Sequence, residues 1–364
     1  MLFSPGILGT LETPNRLVRS ATAERMADDK GYPKPALEDL YRELARGGVG
    51  LIITGHLYIA PEGKCHPEMT GIYSDDLIPA LRELTTAVHE EEGLVVAQIN
   101  HGGVQCSEET VQDPLAPSAL QVPFLKREPR AMTEEDIQDA IQNFAQAARR
   151  AQEAGFDGVQ IHGAHGYLIS QFVSPLTNHR QDQWGGAREN RARFLREVVK
   201  AVREQVGTSY PVLIKFGMAD GREGGLTPEA GAQIVADFED YGLDGAEIST
   251  AFSGEAIKSI QKGVRKPSEE AYLMPLVEEA RPLTDLPLLA VGGFRSRKIM
   301  ERALLSGAAD FISLSRPLIR EPDLPNLLKN GERERSACIS ANNCWPEEMG
   351  EGIACKCPPL PRED

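Results

Sequence analysis

AGFDGVQIHG, residues 154–163, sets a glycine and an acidic turn directly before an apolar, β-branched run. Gly155 suits the left-handed cap that ends many helices, because that backbone conformation clashes with a side chain. The seven residues that follow it, DGVQIHG (157–163) after Phe156, read as a strand. The same junction returns at GGVGLI (47–52), YGLDGA (241–246) and SGAADF (306–311). Upstream, residues 133–154 explain what is being capped. Thr133 and Asp136 form a capping-box pattern, and Ile137, Ala140, Ile141, Phe144, Ala145 and Ala148 fall on one helical stripe.

Working outward, eight such runs appear: RLVRSA (16–21), VGLIITG (49–55), LVVAQIN (94–100), DGVQIHG (157–163), PVLIKFG (211–217), DGAEIST (244–250), PLLAVGG (287–293) and DFISLSR (310–316). A crossover helix fits each long gap. Continuous apolar strands in strict alternation with helices imply a parallel sheet covered by helices, and eight units favour a closed (β/α)8 TIM barrel over an open sheet. The expected organisation is a barrel over 1–335 and a cysteine-containing tail over 336–364 packed on it.

Composition narrows the partners. Hydrophobic residues make up 41% and charged residues 26% of the 364, as in ordinary globular proteins, and the formal charge of -15 opposes phosphate-rich surfaces. Neither nucleic acid nor membrane is expected as a partner. No apolar run approaches the ~20 residues that span a bilayer, and the first residues lack a signal-peptide pattern, so the expected compartment is the cytoplasm. Self-association into a homo-oligomer is compatible with the sequence. Six cysteines are too few for a disulfide scaffold, and four of them, Cys338, Cys344, Cys355 and Cys357, crowd the tail.

In such barrels the chemistry gathers at strand C-termini. Those ends carry Ser20 and Thr22, His56, Gln98 and Asn100, His162 and His165, Lys215, Ser249, Gly292 and Gly293, and Ser315 and Arg316. One such residue alone is more often structural; their convergence on one mouth is the signal. The amide of Gln98 carries a donor and an acceptor side by side and can be satisfied by backbone or can pair with the pyrimidine edge of a flavin. Lys215 in a barrel interior needs an anionic partner, which the N1–O2 side of a reduced flavin would supply. Gly292-Gly293 and Ser315-Arg316 follow the last two strands, where barrels commonly bind phosphate. The segment HGAHGY (162–167) puts two imidazoles and a phenol together. Zinc is the weaker reading of its HxxH spacing, because Gly163 and Gly166 break any helix and no third ligand is evident. Read alone, Tyr167 is as much a packing group as a catalytic one.

NRLVRSATAE, GVGLIITG, QINHGG, HGAHGYLISQFVSPLTNHRQDQWGG, ENRARF, AVGGF and SRPLIREPDLP together resemble the old yellow enzyme family of NADH:flavin oxidoreductases. The most specific piece is HGAHGYL with Asn178, Arg180, Asp182, Gly185 and Gly186 downstream. The resemblance implies an FMN-binding barrel, with Gln98 and Lys215 at the flavin ring and Gly292, Gly293, Ser315 and Arg316 near its phosphate. Ser20, Ala21, Thr22 and His56 complete the implied cofactor set. It implies NAD(P)H as co-substrate and an electron-poor alkene, such as an enone, as the small-molecule substrate. His162 and His165 match the pair that hydrogen-bonds the substrate carbonyl, and Tyr167 matches the proton donor. Two aimed N–H donors stabilise charge developing on that oxygen, and a phenol protonates the α carbon without carrying a formal charge into a dry pocket. Oxidative demethylation and a non-catalytic flavin-binding role are the alternatives.

Several positions depart from the family pattern. Ala23, beside Thr22, stands where threonine or cysteine is common, Lys215 where arginine is common, Trp184 where tyrosine is frequent and Val104 where arginine often follows HGG. Multi-domain relatives hold an iron-sulfur cluster on a cysteine-rich tail. CISANNC (338–344) here puts Ala341 at the second ligand position, so no intact four-iron cluster and no metal are expected.

Overall fold

The computed structural model describes residues 1–125, 127–348 and 350–358. At its centre are eight strands: β1 (Leu17–Arg19), β2 (Leu51–Ile53), β3 (Val95–Asn100), β4 (Gly158–Gly163), β5 (Val212–Gly217), β6 (Gly245–Ser249), β7 (Leu288–Val291) and β8 (Phe311–Leu314). Each pairs in parallel with the next, and β8 pairs back onto β1 with Ile312 opposite Leu17, closing the sheet. The principal helices after successive strands are α1 (Pro35–Arg46), α2 (Ile78–His89), α3 (Glu134–Glu153), α4 (Arg193–Val206), α5 (Pro228–Val235), α6 (Met274–Ala280), α7 (Arg297–Leu305) and α8 (Leu324–Asn330). This is a (β/α)8 TIM barrel.

The local signals act as their chemistry predicts. Thr133 and Asp136 cap α3 reciprocally: the Asp136 N–H donates to Thr133 Oγ1 at 3.2 Å, and the Thr133 N–H donates to Asp136 Oδ2 at 2.7 Å. Gly155 has φ 87°, and Gly48, Gly242 and Gly307 at the matching junctions are also left-handed. Two strands are shorter than their apolar runs. The chain leaves the ladder after Arg19 and after Ile53 to carry Ser20–Ala23 and His56 across the mouth, and it rejoins β3 only at Leu57–Tyr58.

Side-chain alternation divides the strands between two environments. On β3, Val95, Ala97 and Ile99 face the helices. The opposite face begins apolar: Val18, Leu51, Ile53, Val96, Leu213, Leu289 and Phe311 fill the lower barrel. An N-terminal hairpin, Gly6–Leu8 with Leu11–Thr13, closes that end and inserts Leu8 into the same cluster. Two residues further along β1, β3, β5 and β8, on the same inward face, stand Ser20, Gln98, Lys215 and Ser313. The lower barrel is therefore a packed plug, and the upper barrel is polar.

Candidate active site

Apart from Ser313, the polar layer is one connected network. Glu247 of β6 is fully buried and lies opposite Lys215 of β5 in the sheet register. Its Oε1 accepts from Lys215 Nζ at 2.9 Å and from Ser20 Oγ at 2.6 Å. Lys215 Nζ also donates to Ser20 Oγ at 2.8 Å. On the other side, Gln160 Nε2 donates to Glu247 Oε2 at 3.2 Å, and Gln98 Nε2 donates to Gln160 Oε1 at 2.6 Å. Neither Gln160 nor Glu247 was singled out from the sequence. The signal was available, because each sits two residues before a strand-end polar residue, His162 or Ser249, and so shares its inward face.

Above this layer lie the imidazoles. Ala164 N–H donates to His162 Nδ1 at 3.3 Å, which leaves the Nε2 of the neutral ring as a donor. His165 adopts φ 59°, a left-handed conformation uncommon among non-glycine residues, held where its N–H donates to the Thr250 carbonyl at 3.0 Å. Its Nε2 shares a hydrogen bond with Ser249 Oγ at 2.9 Å. Tyr167 precedes a short helix, Leu168–Val173, and its ring centre lies 4.8 Å from that of His162 and 5.1 Å from that of His56. Asn100 Nδ2 donates to His56 Nδ1 at 2.9 Å, so His56 stands with the histidine–tyrosine cluster.

Burial dominates the electrostatics here. It lowers the His162 pKa well below the usual value, helped by His165, His56 and Lys215, and that of His165 to about 3, helped by Lys215 and His56. His56 falls to about 4 through burial and then Arg25. Burial also raises the Tyr167 phenol well above its ordinary range, helped by the nearby Cys65 and Cys106. The site therefore presents neutral imidazoles and an un-ionised phenol across the neutral pH range.

All the expected residues, Ser20, Ala21, Thr22, His56, Gln98, His162, His165, Tyr167, Lys215, Gly292, Gly293, Ser315 and Arg316, line one cavity of about 820 Å³. Asn100 supports it from behind His56. At the end formed by β7 and β8, Gly292 and Gly293 have φ 125° and 75°, and Ser313 Oγ is buried without a partner among the described residues. Thr22 Oγ1 and Ser315 Oγ are 2.8 Å apart. The Arg316 guanidinium donates to the Gln261 carbonyl at 2.7 Å and to Asn342 of the tail. The tail contributes Ser340, Asn342, Cys344, Trp345 and Ile353 to the cavity wall, and Ile353 N–H donates to the Glu24 carbonyl at 2.8 Å. All six cysteines are unpaired, and among the described residues no three His, Cys, Asp or Glu side chains converge to hold a metal ion. These features suit a flavin mononucleotide: a buried amide and ammonium for the ring, and an orphaned hydroxyl beside cavity-lining glycine backbone for the phosphate.

The downstream motif is a brace. Asn178 Nδ2 donates to the carbonyls of Phe172 and Trp184, both at 2.7 Å. Arg180 donates to the carbonyls of Pro117 and Met132 and pairs with Asp182, while Trp184 Nε1 donates to Glu134 Oε2 at 2.7 Å. These contacts tie the segment after Tyr167 to the start of α3.

Residues 1–335 match the model of the NADH:flavin oxidoreductase / NADH oxidase family, and the chain belongs to that family. It is 36% identical over 361 residues to an NADH oxidase of Thermoanaerobacter brockii, covering 98% of this chain and 55% of that protein. It is 36% identical over 326 residues to an NADPH dehydrogenase of Geobacillus sp. (strain WCH70), covering 89% of this chain and 92% of that one. The old yellow enzyme homologue of Zymomonas mobilis superposes with a TM-score of 0.80 at 29% identity, over 93% of this chain and 95% of that one. The chain thus spans about half the length of the first of these relatives and nearly all of the other two. Family membership implies FMN as cofactor. No helix among the described residues is long and apolar enough to cross a membrane.

Proposed function

We propose that this chain is an FMN-dependent NAD(P)H oxidoreductase that reduces electron-poor C=C bonds, enones and related alkenes. The observation that carries the reading is the pairing of two neutral imidazoles with an un-ionised phenol in the cavity that also holds Gln98 and Lys215. FMN, when bound, supplies the hydride exchange between NAD(P)H and the alkene. Gln98 and Lys215 hold the ring, and the β7–β8 end holds the phosphate. His162 and His165 donate to the substrate's carbonyl oxygen, binding it before reaction and stabilising the charge that grows on it. Tyr167 delivers a proton to the α carbon. Residues 1–335 form the catalytic barrel, and the tail from 336 shapes its mouth and carries no four-iron cluster. The enzyme works in the cytoplasm.

The purified protein should be yellow, release FMN on denaturation, and oxidise NAD(P)H faster when an enone is added. Protein that takes up no FMN, or whose NAD(P)H oxidation ignores every enone in a panel, would sink the reading.

A further inference from the structure

Glu247 has no place in the chemistry described above, yet it lies at the centre of the polar layer. It is fully buried, its ion pair with Lys215 is almost wholly excluded from water, and three side chains converge on its two oxygens. Removing such a pair from water costs more than surface pairs repay, and apolar residues of similar volume often serve stability as well or better. A buried carboxylate retained at the mouth of a barrel invites a role in the site.

Two consequences follow from the geometry. An ionised carboxylate has no proton to give, so Gln160 must turn its NH₂ toward Glu247 and its carbonyl toward Gln98. Gln98 must then turn its own NH₂ toward Gln160, where the two atoms stand 2.6 Å apart. Glu247 thereby fixes the direction of two amides in series and leaves Gln98 Oε1 without a protein partner among the described residues. The second consequence is electrostatic. Lys215 Nζ gives one hydrogen bond to Glu247 and one to Ser20, so its charge is already balanced from below.

We propose that Glu247 is a positioning residue that sets both the orientation of Gln98 and the net charge presented by Lys215 to the pyrimidine side of the flavin. This rests on the reading that Gln98 and Lys215 face that ring. Negative charge gathering on the N1–O2 side during reduction competes with Glu247 for the ammonium, and Glu247 holds the flavin potential down.

The test is a redox titration of the FMN-loaded protein against reference dyes, with FMN affinity measured by fluorescence. Glu247→Gln, nearly isosteric, should raise the midpoint potential; Lys215→Met should lower it; the double variant should return close to the parent. Glu247→Asp keeps the charge and should stay nearer the parent than Glu247→Gln, although it is shorter and packs worse. An unchanged potential in Glu247→Gln overturns the proposal, and so does a larger shift in Glu247→Asp, which would mark a packing role. If Glu247→Gln alone does not fold, the step from Lys215→Met to the double variant reads the same charge effect, and no rise there overturns it. Gln98→Leu should weaken FMN binding about tenfold, the value of one lost hydrogen bond. If Gln98→Leu and Lys215→Met both bind FMN like the parent with the same potential, the failure belongs to the placement of the ring and not to Glu247.

Discussion

Tyr167 is half-buried among rings and beside two thiols, and desolvation pushes its phenol well above the ordinary range. Such a group holds its proton at every working pH and gives it only to a strong base; in the proposed reaction that base is the α carbon, once its neighbour has accepted hydride. Tyr167→Phe should leave FMN binding and the NAD(P)H half-reaction intact and slow the alkene half-reaction by roughly 100-fold. Stopped-flow measurement of the two halves decides this, and equal slowing of both would make the phenol a positioning group. His162, His165 and Tyr167 stood out as candidates in the sequence because glycines interrupt the chain around them at the end of β4. Glu247 was not, because it lies inside an apolar run and its importance comes from Lys215, Ser20 and Gln160, which are distant in the chain. Arg25, left-handed at φ 56° and close enough to influence His56 and Tyr167, gave no sequence signal either.

Among the elements, the eight strands could be read from apolar runs between glycine caps, but their lengths could not. β1 and β2 stop at three residues each because the chain departs to build the mouth. The N-terminal hairpin was missed altogether, since strands of three residues are too short to show an alternating pattern. Its function is to close the barrel, with Leu8 fully buried among Val18, Leu213 and Phe311. Leu8→Ala should lower stability by about 2–5 kcal/mol, the usual range for a buried leucine truncated without full collapse of the cavity. FMN affinity should hardly change, because the site occupies the opposite end. Denaturant unfolding beside an FMN titration checks both halves; a large loss of FMN affinity in a protein of unchanged stability would contradict this division of the barrel.

For the molecule as a whole, the chemistry that keeps the site neutral also sets an acid limit on the fold. Burial lowers His56 and His101 to about 4, His66 and His165 to about 3, and His162 well below its ordinary value. An unfolded chain returns each to an ordinary pKa of about 6.5, so unfolding takes up protons between those values. The stability these neutral rings contribute is present above pH ~6.5 and drains away as pH falls toward 4 and 3. Each ring contributes a slope approaching 1.4 kcal/mol per pH unit in that window. Glu24 and Asp220, raised by burial, act in the opposite sense, while Asp136 and Asp182, lowered by Arg130 and Arg180 respectively, add their losses only at lower pH. With five histidines against two carboxylates, the histidines prevail. Urea midpoints measured on the FMN-free protein should therefore fall continuously from pH 7 to pH 5, well before surface carboxylates protonate. Replacing His101, which lies outside the catalytic cluster, with an uncharged residue of similar shape such as glutamine should make that fall shallower by about one proton's worth. A midpoint that stays level from pH 7 to pH 5 would mean that the imidazoles can reach water or a counter-charge in the folded state, and the neutral donors assigned to His162 and His165 would lose their physical basis.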